Sequence, residues 1–320
     1  MGKRNVLAVM VGNAVTEFGL FSDGQMAASW QLSTPERLTV DEARLQLASG
    51  LQRFAVATCE GCGAAETEKG QGLTAVLGSV VPGLTDVWRD ALAAETGRRA
   101  LVLGPRLKTG MAIACKAPGE VGADRVADAM AAKALVGSPA IVVHLEAATA
   151  ITVVDERGAL AGGIIAPGFE ASGAMLAQLA ARLPQVEAAP PKCVVGKTTQ
   201  EAIASGIFWG EVARIDGLVA MVKQEMFGDV EGESIACCSL VRDEMRYAPD
   251  AALHAAGTAS CADETSDSKA GFASRDVSLH SVSSIPVLIT GEGATDLASH
   301  LQCRPQLVPH LTLQGLALCA

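Results

Sequence analysis

Charged chemistry in this chain gathers at Gly122-Ala123-Asp124-Arg125, where a carboxylate and a guanidinium stand side by side at the start of a helical pattern. A guanidinium so placed can grip a carboxylate through two parallel N–H bonds, and Lys108, Thr109 and Thr199 are further donors for an anionic hydroxy-acid. The simpler alternative is that Asp124 caps the helix and Arg125 pairs with it on the surface. Two glycine turns follow apolar runs, Gly12-Asn13 and Thr290-Gly291-Glu292-Gly293, and turns of this kind present backbone N–H groups to phosphates. With 33 glycines in the chain one such turn means little, so the order of the turns carries the signal. Cys59-Glu60-Gly61-Cys62 has metal-like spacing, yet no second Cys pair or His pair completes a tetrahedral set, and a plain loop is the expected reading.

These residues need strands that end at the turns and helices that begin at the acid pair. Val6–Val11 is a short β-branched run, and Phe18–Phe21 with Met26–Leu32 predict a hairpin across Ser22-Asp23-Gly24-Gln25. Apolar residues at helical spacing predict a helix over Thr39–Leu51 with Thr39 as its cap. Leu73–Val81 and Ala100–Leu103 read as strands, with a helix over Leu84–Thr96 between them and another over Val121–Leu135 after them. The pattern then repeats: strands over Ala140–Val143, Ala150–Asp155 and Ala159–Ile165, helices over Glu170–Leu183 and Thr199–Phe227, a strand over Ile285–Thr290 and a short helix to Leu301. Two βββαβ-like units are therefore expected, an α/β architecture repeated in plan more than in residues. The expected division is 1–136, with an inserted loop near 56–72, and 137–320, with a Ser- and Ala-rich insertion near 249–284 expected to be disordered.

The chain resembles the type III pantothenate kinases. The likeness is carried by Val11-Gly12-Asn13, Ser79-Val80-Val81-Pro82-Gly83-Leu84-Thr85, Gly104-Pro105 with Lys108-Thr109-Gly110, and Gly119-Glu120-Val121-Gly122-Ala123-Asp124-Arg125. It continues in Gly162-Gly163-Ile164-Ile165-Ala166-Pro167-Gly168, Val195-Gly196-Lys197-Thr198-Thr199 and Leu311-Thr312-Leu313-Gln314-Gly315-Leu316. The resemblance implies the actin-like ATPase fold, shared with sugar kinases, Hsp70 and actin, with a cleft between two similar domains. It implies transfer of the γ-phosphate of ATP, with Mg²⁺, to the hydroxyl of pantothenate at the opening of coenzyme A synthesis. Carried over residue by residue, Asp124 is the general base; Gly104, Lys108, Thr109, Gly122, Arg125 and Thr199 bind substrate; Gly12, Asn13, Thr149, Gly291 and Gly293 bind nucleotide. A homodimer with the pantothenate pocket near its interface is implied as well.

The chain departs from the family pattern after the first Gly-Asn, where Ala14-Val15 stands for the family's Thr-Asn, and at two further places. Met10 stands where the family has an acidic residue two before the first Gly-Asn, and a thioether cannot replace that hard metal ligand. His144-Leu145-Glu146-Ala147 stands where the family reads Asp-Phe-Gly-Thr, so the monovalent-cation aspartate, the phosphate-turn glycine and a threonine hydroxyl are all replaced. Glu146 is expected to repel a triphosphate and to obstruct backbone approach, or alternatively to supply the missing carboxylate from the opposite strand end. The expected outcome is weak ATP·Mg²⁺ binding, a lost monovalent-cation site and impaired turnover. The competing expectation is a non-catalytic pseudokinase or regulatory subunit that binds a pantothenate-like acid and pairs with an active paralogue.

Composition excludes several classes. A net charge of −10 and only 11 aromatic residues disfavour nucleic-acid binding. No uncharged apolar run approaches the ~20 residues of a spanning helix. Neither a signal peptide nor a lipidation motif is expected at Met1–Val6, and nine scattered cysteines read as reduced thiols of a cytoplasmic protein. The apolar Ile207-Phe208-Trp209 on the long second-half helix is expected to be an exposed dimer patch.

Overall fold

The computed structural model describes residues 5–57, 73–104, 107–180, 183–186, 189–228 and 285–320. The Cys59/Cys62 pair, Cys237-Cys238 and the 249–284 segment lie outside the described residues. The chain divides into one unit of Met1–Ala220 with Ile285–Ala320, which holds every described strand, and a second of Met221–Ser284, of which the last turns of a helix and Gly228 are described.

The first sheet is built on β1 (Asn5–Val11), whose residues beyond Asn5 are all buried. Such a two-sided apolar run belongs in the middle of a sheet. It pairs antiparallel with β2 (Val15–Ser22) and parallel with β4 (Leu73–Ser79). With β3 (Gln25–Ser33) and β5 (Leu101–Val102) outermost, the order is β3-β2-β1-β4-β5. The second sheet repeats the plan on β6 (Ala140–Leu145), antiparallel to β7 (Ala148–Val154) and parallel to β9 (Val287–Gly291). Adding β8 (Leu160–Pro167) and β10 (Gln306–Leu307) gives, read from the β8 edge, β8-β7-β6-β9-β10, the same order element for element. This duplicated arrangement is the actin-like ATPase architecture.

The seven α-helices among the described residues follow the duplication. α1 (Val40–Ala57) and α2 (Pro82–Thr96) cover one face of the first sheet, where Leu7, Val9 and Val11 meet Leu47, Trp88 and Leu92. Alternation along β1 sends Val6, Ala8 and Met10 to the other face. There they meet α3 (Ala123–Val136) and α7 (Leu311–Ala317), which also reach Ala140, Val142 and Leu288 of the second sheet. The α3–α7 pair follows the fifth strand of each sheet and forms a shared inner layer. α4 (Phe169–Leu179), α5 (Thr199–Phe227) and α6 (Ala294–Ala298) complete the second half.

Thr39 and Glu42 form the reciprocal cap expected before α1. β6 runs two residues past its predicted end, so His144 and Leu145 are strand residues. One expectation is overturned. Ile207 and Phe208 are buried at 7% and 1% exposure, and Phe208 packs edge-on against Phe169 and His300. This face of α5 packs inside the chain, so its apolar residues serve the core and do not supply a dimer patch.

Candidate functional site

α3 begins where Gly122, in extended backbone, takes the N-cap position, so Asp124 lies inside the first turn and does not cap it. A Cβ on Gly122 would lie 2.2 Å from Asp124 Oδ1; the glycine makes room for that carboxylate. Oδ1 is buried and has no hydrogen-bond partner among the described residues. Burial raises the Asp124 pKa above its usual range, and the charges of Asp128 and Glu146 add to the rise, while the Arg125 backbone N–H and His144 oppose it. A carboxylate so tuned is a better proton acceptor near neutrality.

Arg125 makes no surface pair with Asp124. Its Nε donates to Thr152 Oγ1 of β7 at 3.2 Å, and its Nη2 is buried with no partner. Gly163 of β8 makes this possible, because a Cβ there would lie 2.4 Å from Nη2 and 1.9 Å from the Ile151 carbonyl. A buried carboxylate oxygen and a buried guanidinium nitrogen, each without a partner among the described residues and on adjacent residues, suit a ligand bearing a hydroxyl and a carboxylate.

The strand-end turns gather at the same end of the sheets. Gly12 N donates to Val15 O at 2.9 Å, and a Cβ on Gly12 would collide with that carbonyl at 2.7 Å; Asn13 beside it is exposed. Glu146 follows β6 directly, and its Oε2 lies 3.5 Å from that built Gly12 Cβ. Gly291 pairs with Leu145 and, at φ +93°, adopts a conformation in which a side chain would strike the Leu145 carbonyl. Gly293 (φ +77°) caps α6. Thr149, on β7, is buried and donates from Oγ1 to Glu211 of α5 at 2.6 Å. Glu211 in turn pairs with Arg214, whose guanidinium also reaches the Pro167 carbonyl.

The substituted positions have distinct fates. Met10 is buried in the inner layer, its sulfur lying where a Gly78 side chain would point. His144 is buried and bonded on both ring nitrogens, Nδ1 to Asp128 Oδ2 at 2.6 Å and Nε2 to Glu146 Oε1 at 3.1 Å. Burial pulls its pKa down, but the charge and hydrogen bond of Asp128, with Glu146 in support, override this and hold it well above 6.5. Asp128 is fully buried and also accepts from Thr312 Oγ1 of α7 at 2.7 Å. Ala147 is exposed and supplies only its carbonyl, to Gly168 N.

The other predicted substrate residues form no hydrogen bond with Asp124 or Arg125 among the described residues. Thr109 accepts from Met111 N and, with Met130 and Lys133 of α3, lines an open groove of about 360 Å³ two turns along the helix from Asp124. Lys108, Gly104 and Thr199 are exposed. Thr198 and Glu201 form the cap of α5. Sequence reasoning missed Asp128, Thr152 and Glu211. Asp128 alone left a signal, a charged residue four after Asp124 on a helix otherwise rich in alanine.

Comparison with known proteins adds the relationship. A sequence model of the family described as type III pantothenate kinase matches residues 6–221. A type III pantothenate kinase of Moorella thermoacetica is 36% identical over 223 residues, covering 70% of this chain and 84% of the relative. One of Streptomyces griseus is 37% identical over 230 residues, covering 72% and 84%. Among solved structures, one described as a Baf family transcriptional activator from Campylobacter jejuni matches with a TM-score of 0.50 and 13% identity, covering 98% of this chain and 96% of that one. At that identity the likeness bears on the fold alone.

Proposed function

The chain belongs to the type III pantothenate kinase family, and from that premise we propose that it phosphorylates pantothenate or a close hydroxy-acid relative with ATP. The observation that carries this reading is the pair of unpartnered buried groups on α3, Asp124 Oδ1 and Arg125 Nη2. Each such group costs free energy unless a ligand satisfies it. In this reading Arg125 holds the substrate carboxylate, and Asp124 takes the proton of the substrate hydroxyl as its oxygen attacks the terminal phosphorus. The protein acts in the cytoplasm as a homodimer.

Family membership also implies Mg²⁺, which when bound would offset phosphate charge. Among the described residues no three His, Cys, Asp or Glu converge as a metal cage. Met10 leaves β1 without a carboxylate, Ala147 has no hydroxyl for a phosphate, and His144 replaces the aspartate of the monovalent-cation site. Turnover is accordingly slower than a typical kinase's, since each positioned group lost from such a site costs about tenfold per 1.36 kcal/mol. The buried Met10 favours a second reading, a non-catalytic subunit that keeps the acid pocket and pairs with an active paralogue.

Titration calorimetry with pantothenate, and a direct assay of ATP-dependent pantothenate phosphorylation, separate the two. Binding with turnover that Asp124→Asn abolishes supports the kinase. Binding without turnover supports the subunit, and no binding of any small hydroxy-acid removes both.

A further inference from the structure

Asp128 is a charge in the middle of a buried helix, and neither the acid pair nor the core explains it. Its two oxygens are committed, one to Thr312 Oγ1 at 2.7 Å and the other to His144 Nδ1 at 2.6 Å. His144 passes the connection on through Nε2 to Glu146 Oε1 at 3.1 Å. Thr312, Asp128 and His144 are all buried, whereas the Glu146 side chain is 42% exposed. A buried polar chain anchored in α7, α3 and β6 therefore ends in one solvent-facing carboxylate, its free oxygen beside the Gly12 turn. An unheld glutamate would spend its rotamer freedom in solvent; this one is fixed from behind, as the outer residues of ion-binding sites fix a ligand.

Phosphoryl transfer needs a divalent ion near the phosphates, and Mg²⁺ carried by a nucleotide keeps most of its positions for water and phosphate oxygen. One or two protein carboxylates suffice. β1 offers none, its Met10 being packed into the inner layer against Gly78 and Leu316. Beside the turn, Glu146 Oε2 accepts no hydrogen bond named among the described residues, and Asp124 Oδ1 is buried without a partner. These hard oxygen donors fit the ion.

We propose that Glu146, held by the Asp128–His144 pair, is the carboxylate that receives the metal of a metal–nucleotide complex, a task moved from β1 to the turn after β6. This rests on the family reading of the site. His144 is then a positioning residue, and its role is to present Glu146.

The test is binding of ADP with Mn²⁺, and of ADP alone in EDTA, followed by calorimetry and by the electron paramagnetic resonance of bound Mn²⁺. Glu146→Gln is expected to weaken Mn·ADP binding by about tenfold or more and to leave metal-free ADP no weaker. Met10→Asp in the Glu146→Gln background is expected to recover most of that loss. His144→Asn, whose amide nitrogen can still reach Asp128, is expected to weaken Mn·ADP binding less than Glu146→Gln does. Unchanged Mn·ADP affinity in Glu146→Gln, or equal tightening with and without metal, overturns the proposal; the latter makes Glu146 an obstacle to phosphate. If the unaltered protein binds ADP in neither condition, the kinase reading fails and takes this proposal with it.

Discussion

Two adjacent residues of α3 carry the proposed chemistry, and each makes a separable prediction. Arg125→Ala should weaken pantothenate binding by about 1.5–3 kcal/mol, the scale of a charge-assisted hydrogen bond, when measured by calorimetry. Asp124 must be ionised to accept a proton, and burial raises its pKa. Turnover should therefore fall as pH drops through that raised value, on a limb above the usual aspartate value. A pH–rate profile with no acid limb in the unaltered protein would remove Asp124 from this role. Asp124, Arg125, Met10, His144 and Glu146 could be read from the sequence because they lie in or depart from contiguous motifs. The bonds that fix them could not, since Thr152 and Gly163 meet Arg125 across 27 and 38 positions of chain and Thr312 meets Asp128 across 184.

Elements set these distances, above all the crossing of α3 and α7. Gly315 lies so close to α3 that a Cβ would stand 1.9 Å from the Ala127 carbonyl. Gly315→Ala should cost about 1–3 kcal/mol in denaturant unfolding and should loosen the Thr312–Asp128 bond behind His144. α7 is tied at its other end by His310, in left-handed backbone at φ 54°, whose ring bonds Ser29 at 3.2 Å and faces Glu17. The Glu17 carboxylate facing the ring at 3.8 Å raises the His310 pKa against a smaller opposing effect of burial. Since the folded value lies above the unfolded one, this stabilisation is complete below about pH 6.5 and is lost as pH rises through the folded value. His310→Gln should flatten the melting temperature in that window, and an unchanged pH slope would contradict it. Strand and helix periodicity revealed β1 to β9 and most helices. It did not reveal β10, only two residues long, or α7, whose seven residues give too few turns for a pattern.

At the scale of the whole molecule the open question is what meets the apolar surface that remains. The face of α5 is internal, so a dimer cannot be argued from it. Exposure falls instead on Ile165 of β8, on Met175 and Leu179 of α4, and on Val194 and Val195 before α5, with Leu179 and Val195 at 79% and 80%. β8 is also an edge strand, and natural sheets cover or charge such edges against unwanted pairing. Each fully covered side chain of this size contributes about 1.5–3 kcal/mol, so a handful sustains association at micromolar concentration once the cost of lost freedom is met. Sedimentation equilibrium should therefore show a dimer, and Ile165→Lys with Leu179→Lys should convert it to a monomer of unchanged circular dichroism. If the pocket lies near that interface, the monomer should also lose pantothenate affinity while Arg125 is intact. A stable monomer of the unaltered protein at micromolar concentration would show instead that these residues are ordinary surface apolar groups, and the acid site would then have to be complete within one chain.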